Sequence, residues 1–197
     1  MKVGVLALQG DVPEHLKALR SIAGVSAPLA VRTPTDLSNV GALFLPGGES
    51  TTIARLIEEA GLWTPLDERI REGLPILATC AGLILLAREL APSASGRDPP
   101  TFGALDVVVR RNDYGSQRES CEARVTVDGL GNRAFPGVFI RSPRIVSVGP
   151  QATPIAWRDG EVVGVRSGRL WGLTFHPELA GDLRVHRRFL SGLPARG

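Results

Sequence analysis

Two apolar runs in this chain end in side chains that can do chemistry. Residues 75–79, Pro-Ile-Leu-Ala-Thr, lead into Cys80, pass Ala81 and Gly82, and continue as the helix-like run Leu83-Ile84-Leu85-Leu86. Much later, Leu173-Thr174-Phe175 leads into His176-Pro177-Glu178. A strand that feeds a helix through so short a corner forces the corner side chain outward. That is the logic of a nucleophile elbow, here with cysteine in the place of serine. The helix start adds free N–H groups and a partial positive charge, which favour a thiolate and can cradle an oxyanion. Attack by a thiolate on an acyl carbon needs a nucleophile, a base for its proton and a group that orients the base. Cys80, His176 and Glu178 supply those three types. A free cysteine is more commonly a small buried hydrophobe; the corner is what sets Cys80 apart.

A third segment, Leu45-Pro46-Gly47-Gly48-Glu49-Ser50, places two glycines at another strand-to-helix corner. Glycines there let the backbone come close to a ligand and aim N–H groups at it. The amides of Gly48 and Ala81 would then form an oxyanion hole, where one donor is typically worth about 2.7–4 kcal/mol of barrier. The other two histidines, His15 and His186, fall on expected helices and read as surface or packing residues. Three histidines without paired cysteines or clustered carboxylates predict no metal site.

The elements that must hold these residues alternate in the first half of the chain. Residues 3–8 read as a buried strand, and Asp11-Val12-Pro13-Glu14 is a capping-box pattern for a helix reaching about residue 22. Strands follow at 27–31 and 41–45. Ser50 is the expected N-cap of a helix over 51–60, and a further helix over 64–72 precedes the strand 76–79. Continuous apolar strands between amphipathic helices predict a parallel sheet covered on both faces. Residues 91–100 read as a loop by composition. Period-two strands are expected after it, at 107–110, 122–127, 138–141, 145–148, 155–157, 162–165 and 170–175, the last two flanking a hairpin turn at 166–169. A short helix over 184–190 closes the chain. Residues 1–197 therefore read as one α/β domain, a three-layer sandwich whose sheet is mostly parallel at first and mixed later.

Composition narrows the function. Hydrophobic residues are 43% and charged residues 22% of the 197, the balance of a soluble globular protein. No apolar stretch approaches the roughly 20 residues of a membrane span, and the chain opens on a strand-like run without a signal-peptide pattern. Cytosol is the expected compartment, where a disulfide between Cys80 and Cys121 is not expected. The net charge of +3 comes from scattered arginine, as in the pairs Arg110-Arg111 and Arg187-Arg188, with no basic, aromatic-interleaved run. Nucleic-acid binding is not expected.

Taken together, these motifs resemble those of class I, triad-type glutamine amidotransferases. Within that superfamily they are most similar to the glutaminase subunits of two-protein pyridoxal 5′-phosphate synthases. The likeness runs over almost the whole chain. It includes Val5-Leu6-Ala7-Leu8-Gln9-Gly10, Leu45-Pro46-Gly47-Gly48-Glu49-Ser50-Thr51-Thr52 and Ala78-Thr79-Cys80-Ala81-Gly82-Leu83-Ile84-Leu85. Further on it includes Arg111-Asn112-Asp113-Tyr114-Gly115-Ser116-Gln117, Gly137-Val138-Phe139-Ile140-Arg141-Ser142-Pro143 and Thr174-Phe175-His176-Pro177-Glu178-Leu179.

The resemblance implies a flavodoxin-like, glutamine-amidotransferase α/β fold. It implies Cys80 as nucleophile, His176 as general base and acid, and Glu178 as the residue that orients the histidine. Gly47, Gly48, Glu49, Arg111, Ile140 and Arg141 would hold L-glutamine. Ammonia would pass to a separate synthase subunit in a hetero-oligomeric complex, with no metal or organic cofactor on the glutaminase. The corner Gln9-Gly10-Asp11 is expected beside Gly47-Gly48 and the partner. Two other readings share the elbow: a glutaminase serving an imidazole-ring synthase, and a cysteine hydrolase of the stress-response type. The family usually has Gly, Arg and Phe where this chain has Ala78, Ser116 and Cys121.

Overall fold

Four short strands are buried at every position: β1 (Val3–Leu6), β3 (Ala42–Leu45), β4 (Ile76–Thr79) and β12 (Leu170–Leu173). Strands with no solvated face belong in the middle of a covered sheet, and the computed structural model places them there. It describes residues 2–25, 27–92, 97–111 and 121–193. Residues 93–96 of the expected loop and the segment 112–117, including Ser116, lie outside the described residues.

Nine strands form the main sheet in the order β2-β1-β3-β4-β12-β11-β10-β7-β8. Here β2 is Leu29–Val31, β7 Cys121–Val127, β8 Phe135–Phe139, β10 Thr153–Arg158 and β11 Glu161–Ser167. Pairing is parallel from β2 through β12 and antiparallel beyond it. The expected change from a parallel to a mixed sheet is therefore observed. Register matters most around β4, where Leu45 pairs with Ala78 and Leu173 with Thr79. The carboxyl ends of β3, β4 and β12 thus lie side by side, at the edge where open α/β sheets hold their ligands.

Helices cover both faces. On one side, α3 (Ser50–Glu59), α4 (Trp63–Arg71) and α5 (Ala81–Leu86) pack a cluster that includes Ile53, Ile57, Leu66 and Leu83. On the other, α1 (Val12–Arg20) and α6 (Arg184–Ser191) pack Leu19, Val185 and Phe189 against Phe44, Leu77 and Phe175. No helix among the described residues is long and apolar enough to cross a membrane.

Several expectations are corrected. A second sheet, β5-β6-β9, takes up two of the expected strands, as β6 (Leu105–Arg110) and β9 (Arg144–Val148). Its third member, β5 (Ala87–Leu90), had no local signal; it forms because β6 supplies a parallel partner, with Ala87 beside Leu105. The short helix α2 (Pro34–Ser38) was also unanticipated, although Thr33 and Asp36 form a reciprocal capping box. The N-cap of α3 is Glu49 and not Ser50: its carboxylate accepts from the backbone N–H of Thr51 (3.1 Å) and Thr52 (2.7 Å). Asp11 does occupy the N-cap of α1 but makes no capping bond. Its carboxylate is engaged elsewhere.

The elbow depends on a close crossing. A Cβ built on Gly82 would lie 2.9 Å from Leu45 Cβ and inside contact of the Leu45 carbonyl oxygen. Only a glycine lets α5 sit on β3 at this depth. Gly82→Ala would gain about 1 kcal/mol of helix propensity but overpack a backbone that cannot yield, at about 1–3 kcal/mol. A net loss of stability in urea denaturation is expected, with the reactivity of Cys80 toward small thiol reagents changing as well because Cys80 shifts with α5. A variant as stable as the parent would show that this crossing is not tight.

Candidate active site

Cys80 sits between β4 and α5 with φ 47° and ψ −102°, in a region that non-glycine residues seldom occupy. Its backbone is pinned by the bond from Cys80 N to Leu173 O, 2.8 Å. A strained backbone held by its surroundings is typical of functional corners and costs about 1–3 kcal/mol. The thiol is not lost in the core. Its Sγ lies 3.9 Å from the Ile140 carbonyl, and it lines a cavity of about 150 Å³ with Gly48, Glu49, Arg111, Ile140, Arg141 and His176. Drug-sized ligands occupy about 300–1,000 Å³, so this space is scaled to a smaller metabolite. Asp11, Ser50 and Ile84 complete its wall.

His176 follows β12 and is fixed through its own backbone, N–H to Val138 O at 2.8 Å. Its Nδ1 lies 2.9 Å from Glu178 Oε1 and 3.0 Å from Asp11 Oδ2, which leaves Nε2 for Cys80. Burial opposes a charge on this ring. Hydrogen bonding to Asp11, Cys80 and Glu178 outweighs burial and pushes the imidazole pKa up to about 12. Glu178 is buried behind the histidine. Burial alone would raise its pKa, but the facing His15 and the hydrogen bond from His176 reverse that and hold it at about 2. The arrangement is an ionised carboxylate holding an imidazolium that faces the Cys80 sulfur, a pairing suited to general acid–base chemistry at an acyl carbon.

The glycine corner lies against this group. The Gly47 carbonyl accepts from Asp11 N at 3.1 Å, and a Cβ on Gly47 would enter the His176 ring. Gln9 Oε1 accepts from Glu49 N at 2.9 Å, so the Gln9-Gly10-Asp11 corner does adjoin Gly47-Gly48. Across a trans peptide, the Gly48 N–H points opposite to the tethered carbonyl. Ala81 opens α5, where the first N–H groups have no partner within the helix.

Arg111 is buried and tied down, donating to Arg97 O (3.1 Å), Asp98 Oδ1 (3.1 Å) and Thr51 Oγ1 (3.2 Å). Arg141 is exposed at the cavity. The expected strand ends at Phe139, and Arg141 turns out of it at φ 44°.

Sequence reasoning missed Asp11, Thr79 and His15. Asp11 looked like a helix cap, and nothing local marks Thr79 as a neighbour of Glu178, 3.3 Å away. His15 and His186 are fully buried. Cys121, at the start of β7, is half-buried. Ala78 is fully buried in β4 between Leu45 and Gly172. Among the described residues, one set brings three atoms able to ligate a metal within 4.8 Å of one another: Asp11, His176 and Glu178. Their spacings are those of hydrogen bonds to Nδ1.

A doubly covered α/β sheet with an elbow cysteine, a histidine and a buried carboxylate at its carboxyl edge defines a cysteine-dependent acyl hydrolase of the glutamine-amidotransferase class. Comparison with known proteins agrees, since the profile of the SNO glutamine amidotransferase family matches residues 5–193. The chain belongs to that family. It is 50% identical over 187 residues to the pyridoxal 5′-phosphate synthase subunit PdxT of Streptomyces coelicolor, covering 95% of this chain and 91% of that one. It is 46% identical over 190 residues to the protein of the same description from Thermotoga neapolitana, covering 96% and 98%. A crystal structure described as a glutamine amidotransferase superposes with TM-score 0.87 at 42% identity, covering 97% and 98%. A glutamine amidotransferase from Thermotoga maritima shares the fold, with TM-score 0.59 at 20% identity over 97% of this chain and 82% of that one.

The depressed Glu178 carboxyl has a consequence for acid stability. A carboxyl with a native pKa lowered from 4.5 to about 2 contributes stability that is full above pH 4.5 and lost as pH falls toward 2. That shift corresponds to about 3 kcal/mol. The raised His176 works in the opposite sense: its contribution is full below pH 6.5 and fades as pH rises toward 12. Urea melts between pH 2 and 7 should show wild-type stability falling steeply below pH 4.5, and Glu178→Gln should flatten that limb. Equal slopes in the two proteins would mean that Glu178 is not ionised in the folded chain.

Proposed function

We propose that this chain hydrolyses L-glutamine to L-glutamate and ammonia and hands the ammonia to a separate pyridoxal 5′-phosphate synthase subunit. One observation carries the reading: the elbow thiol of Cys80 shares a small cavity with a histidine whose Nδ1 is 2.9 Å from the buried Glu178. The Cys80 thiolate, its proton held on His176, attacks the carboxamide carbon, and the oxyanion rests on the N–H groups of Gly48 and Ala81. His176 Nε2 gives its proton to the departing nitrogen, releasing ammonia and leaving a γ-glutamyl thioester. The now neutral His176 takes a proton from water, whose oxygen attacks the thioester carbon; the carbon–sulfur bond then breaks, restoring the thiolate beside the imidazolium, and glutamate leaves with its acid proton passing to the released ammonia. Glu178 holds the imidazole throughout. Gly47, Gly48, Glu49, Arg111, Ile140 and Arg141 form the glutamine pocket.

The step as written needs no metal or organic cofactor. The synthase subunit would combine the ammonia with a pentose phosphate and a triose phosphate. Support for that partner comes from the description shared by the relatives, proteins of 46–50% identity. Neither the imidazole-ring partner nor the stress-response hydrolase gains support from them. Two unpaired cysteines, one of them the nucleophile, fit the reducing cytosol.

Ammonia release should be slow from the chain alone and rise when the cognate synthase is added, and Cys80→Ala should abolish it with the fold and the complex intact. Equal turnover with and without the synthase, or activation only by a different synthase, would sink the assignment.

Arg111→Ala tests the pocket. A charge-assisted bond to the glutamine α-carboxylate is worth roughly 1.5–3 kcal/mol, or about 10- to 150-fold in kcat/KM. KM should rise while Cys80 stays open to small thiol reagents. A collapse of kcat at unchanged KM would instead assign Arg111 to bracing Glu49 and the α3 N-terminus.

A further inference from the structure

Behind the triad lies a buried polar chain that the mechanism above leaves unused. His15, on α1, has Nε2 3.3 Å from Thr79 Oγ1 and 3.5 Å from Glu178 Oε1. Its Nδ1 is 3.4 Å from Nε2 of His186, on α6. Thr79 Oγ1 is in turn 3.3 Å from Glu178 Oε1. Both rings have no exposed surface and pack on Phe44, at centroid distances of 5.6 Å for His15 and 5.5 Å for His186.

Hydrogen-bond chemistry gives this chain a single direction. An ionised carboxylate only accepts, so the Thr79 hydroxyl points its one proton at Glu178 and offers a lone pair to His15. His15 Nε2 must then carry a hydrogen, and in the neutral ring Nδ1 is bare and accepts from His186 Nε2–H. The opposite direction fails, because it would turn a bare His15 Nε2 lone pair toward the Glu178 anion. In either direction His186 Nδ1 has no partner among the described residues. Burial lowers the pKa of both histidines, His186 to about 3, against the charges of Glu178, Asp11 and Glu14 that favour protonation of His15. Both rings are therefore neutral.

We propose that His15, backed by His186, is a positioning residue for the catalytic carboxylate: through Thr79 it holds Glu178 in the rotamer that meets His176. Two observations give this a consequence. Among the described residues Glu178 Oε2 is buried with no hydrogen-bond partner, so the carboxylate is held chiefly through Oε1. Asp11 stands 3.0 Å from the same His176 Nδ1, ready to take the imidazole if Glu178 loosens. The chain also ties the C-terminal helix α6 to the reaction centre.

The kinetic arm of the test rests on the glutaminase reading; the spectroscopic arm does not. The protein has three histidines, so its imidazole nitrogen spectrum is simple to assign. At pH 7, proton–nitrogen correlation spectra of the wild-type chain should show His15 and His186 both as neutral Nε2–H tautomers. An Nδ1–H tautomer or an imidazolium at either would overturn the proposal. In glutamine hydrolysis with the synthase present, His15→Leu should lower kcat roughly 2- to 10-fold and leave KM within about twofold. His15→Gln, whose amide keeps a donor, should restore part of the loss. Full activity in His15→Leu, or a rise in KM with kcat unchanged, would also overturn it. The wild-type spectrum decides even if the leucine variant does not fold.

Discussion

The structure turns on one backbone corner, Cys80 at φ 47°. A residue with a Cβ keeps that conformation only where its surroundings over-determine it. Here β4 is clamped between β3 and β12, with Leu45 beside Ala78 and Leu173 beside Thr79, and the Cys80 amide is bonded to Leu173. The helix after the corner can lie on β3 only because Gly82 has no side chain. These same three strands deliver the other parts of the site, since β3 runs into Gly47-Gly48 and β12 into His176. Parallel pairing in this register brings Cys80, the glycine corner and His176 to one sheet edge.

The second constraint is a charge in the core. Glu178 is an ionised carboxylate with almost no access to water, and desolvation of such a group costs several kcal/mol unless donors meet it. His176 and Thr79 meet it directly on one oxygen, and His15 stands behind Thr79. These groups come from the end of β12, the end of β4 and the helix after β1, elements distant in sequence. The buried charge therefore makes the geometry of the histidine depend on packing across the whole parallel half of the sheet. The layer made by α1 and α6 is not a passive cover, because it holds His15 and His186 behind the site.

The antiparallel half plays a different part. The main-sheet strands from β11 to β8 do not carry Cys80 or His176, yet Val138 of β8 fixes the His176 backbone and the Ile140 carbonyl faces Cys80. Leaving β8 at Phe139 turns Ile140 and Arg141 to the cavity. Arg111 directly follows β6, and its bonds to Thr51 and Asp98 brace the start of α3 where Glu49 caps it.

The sequence by itself determined the elbow, the glycine corner, the His-x-Glu end of a late strand and the parallel-then-mixed order of the sheet. Each of these is a local signal: an uninterrupted apolar run, a pair of glycines or a reactive residue at a strand end. Such signals survive because the physics behind them acts within a few residues. Local patterns could not reveal contacts between distant parts of the chain. Asp11 read as a cap and Ser50 as another, yet the carboxylates of Asp11 and Glu49 were claimed by His176 and by the amides of α3. β5 became a strand because β6 lay beside it, against no local signal of its own. His15 and His186 looked like ordinary helix residues until two helices, 171 positions apart at the rings they share, faced each other across Phe44. Only tertiary structure decides such matters, because a buried polar group takes its partner from whichever segment folding brings within hydrogen-bond reach.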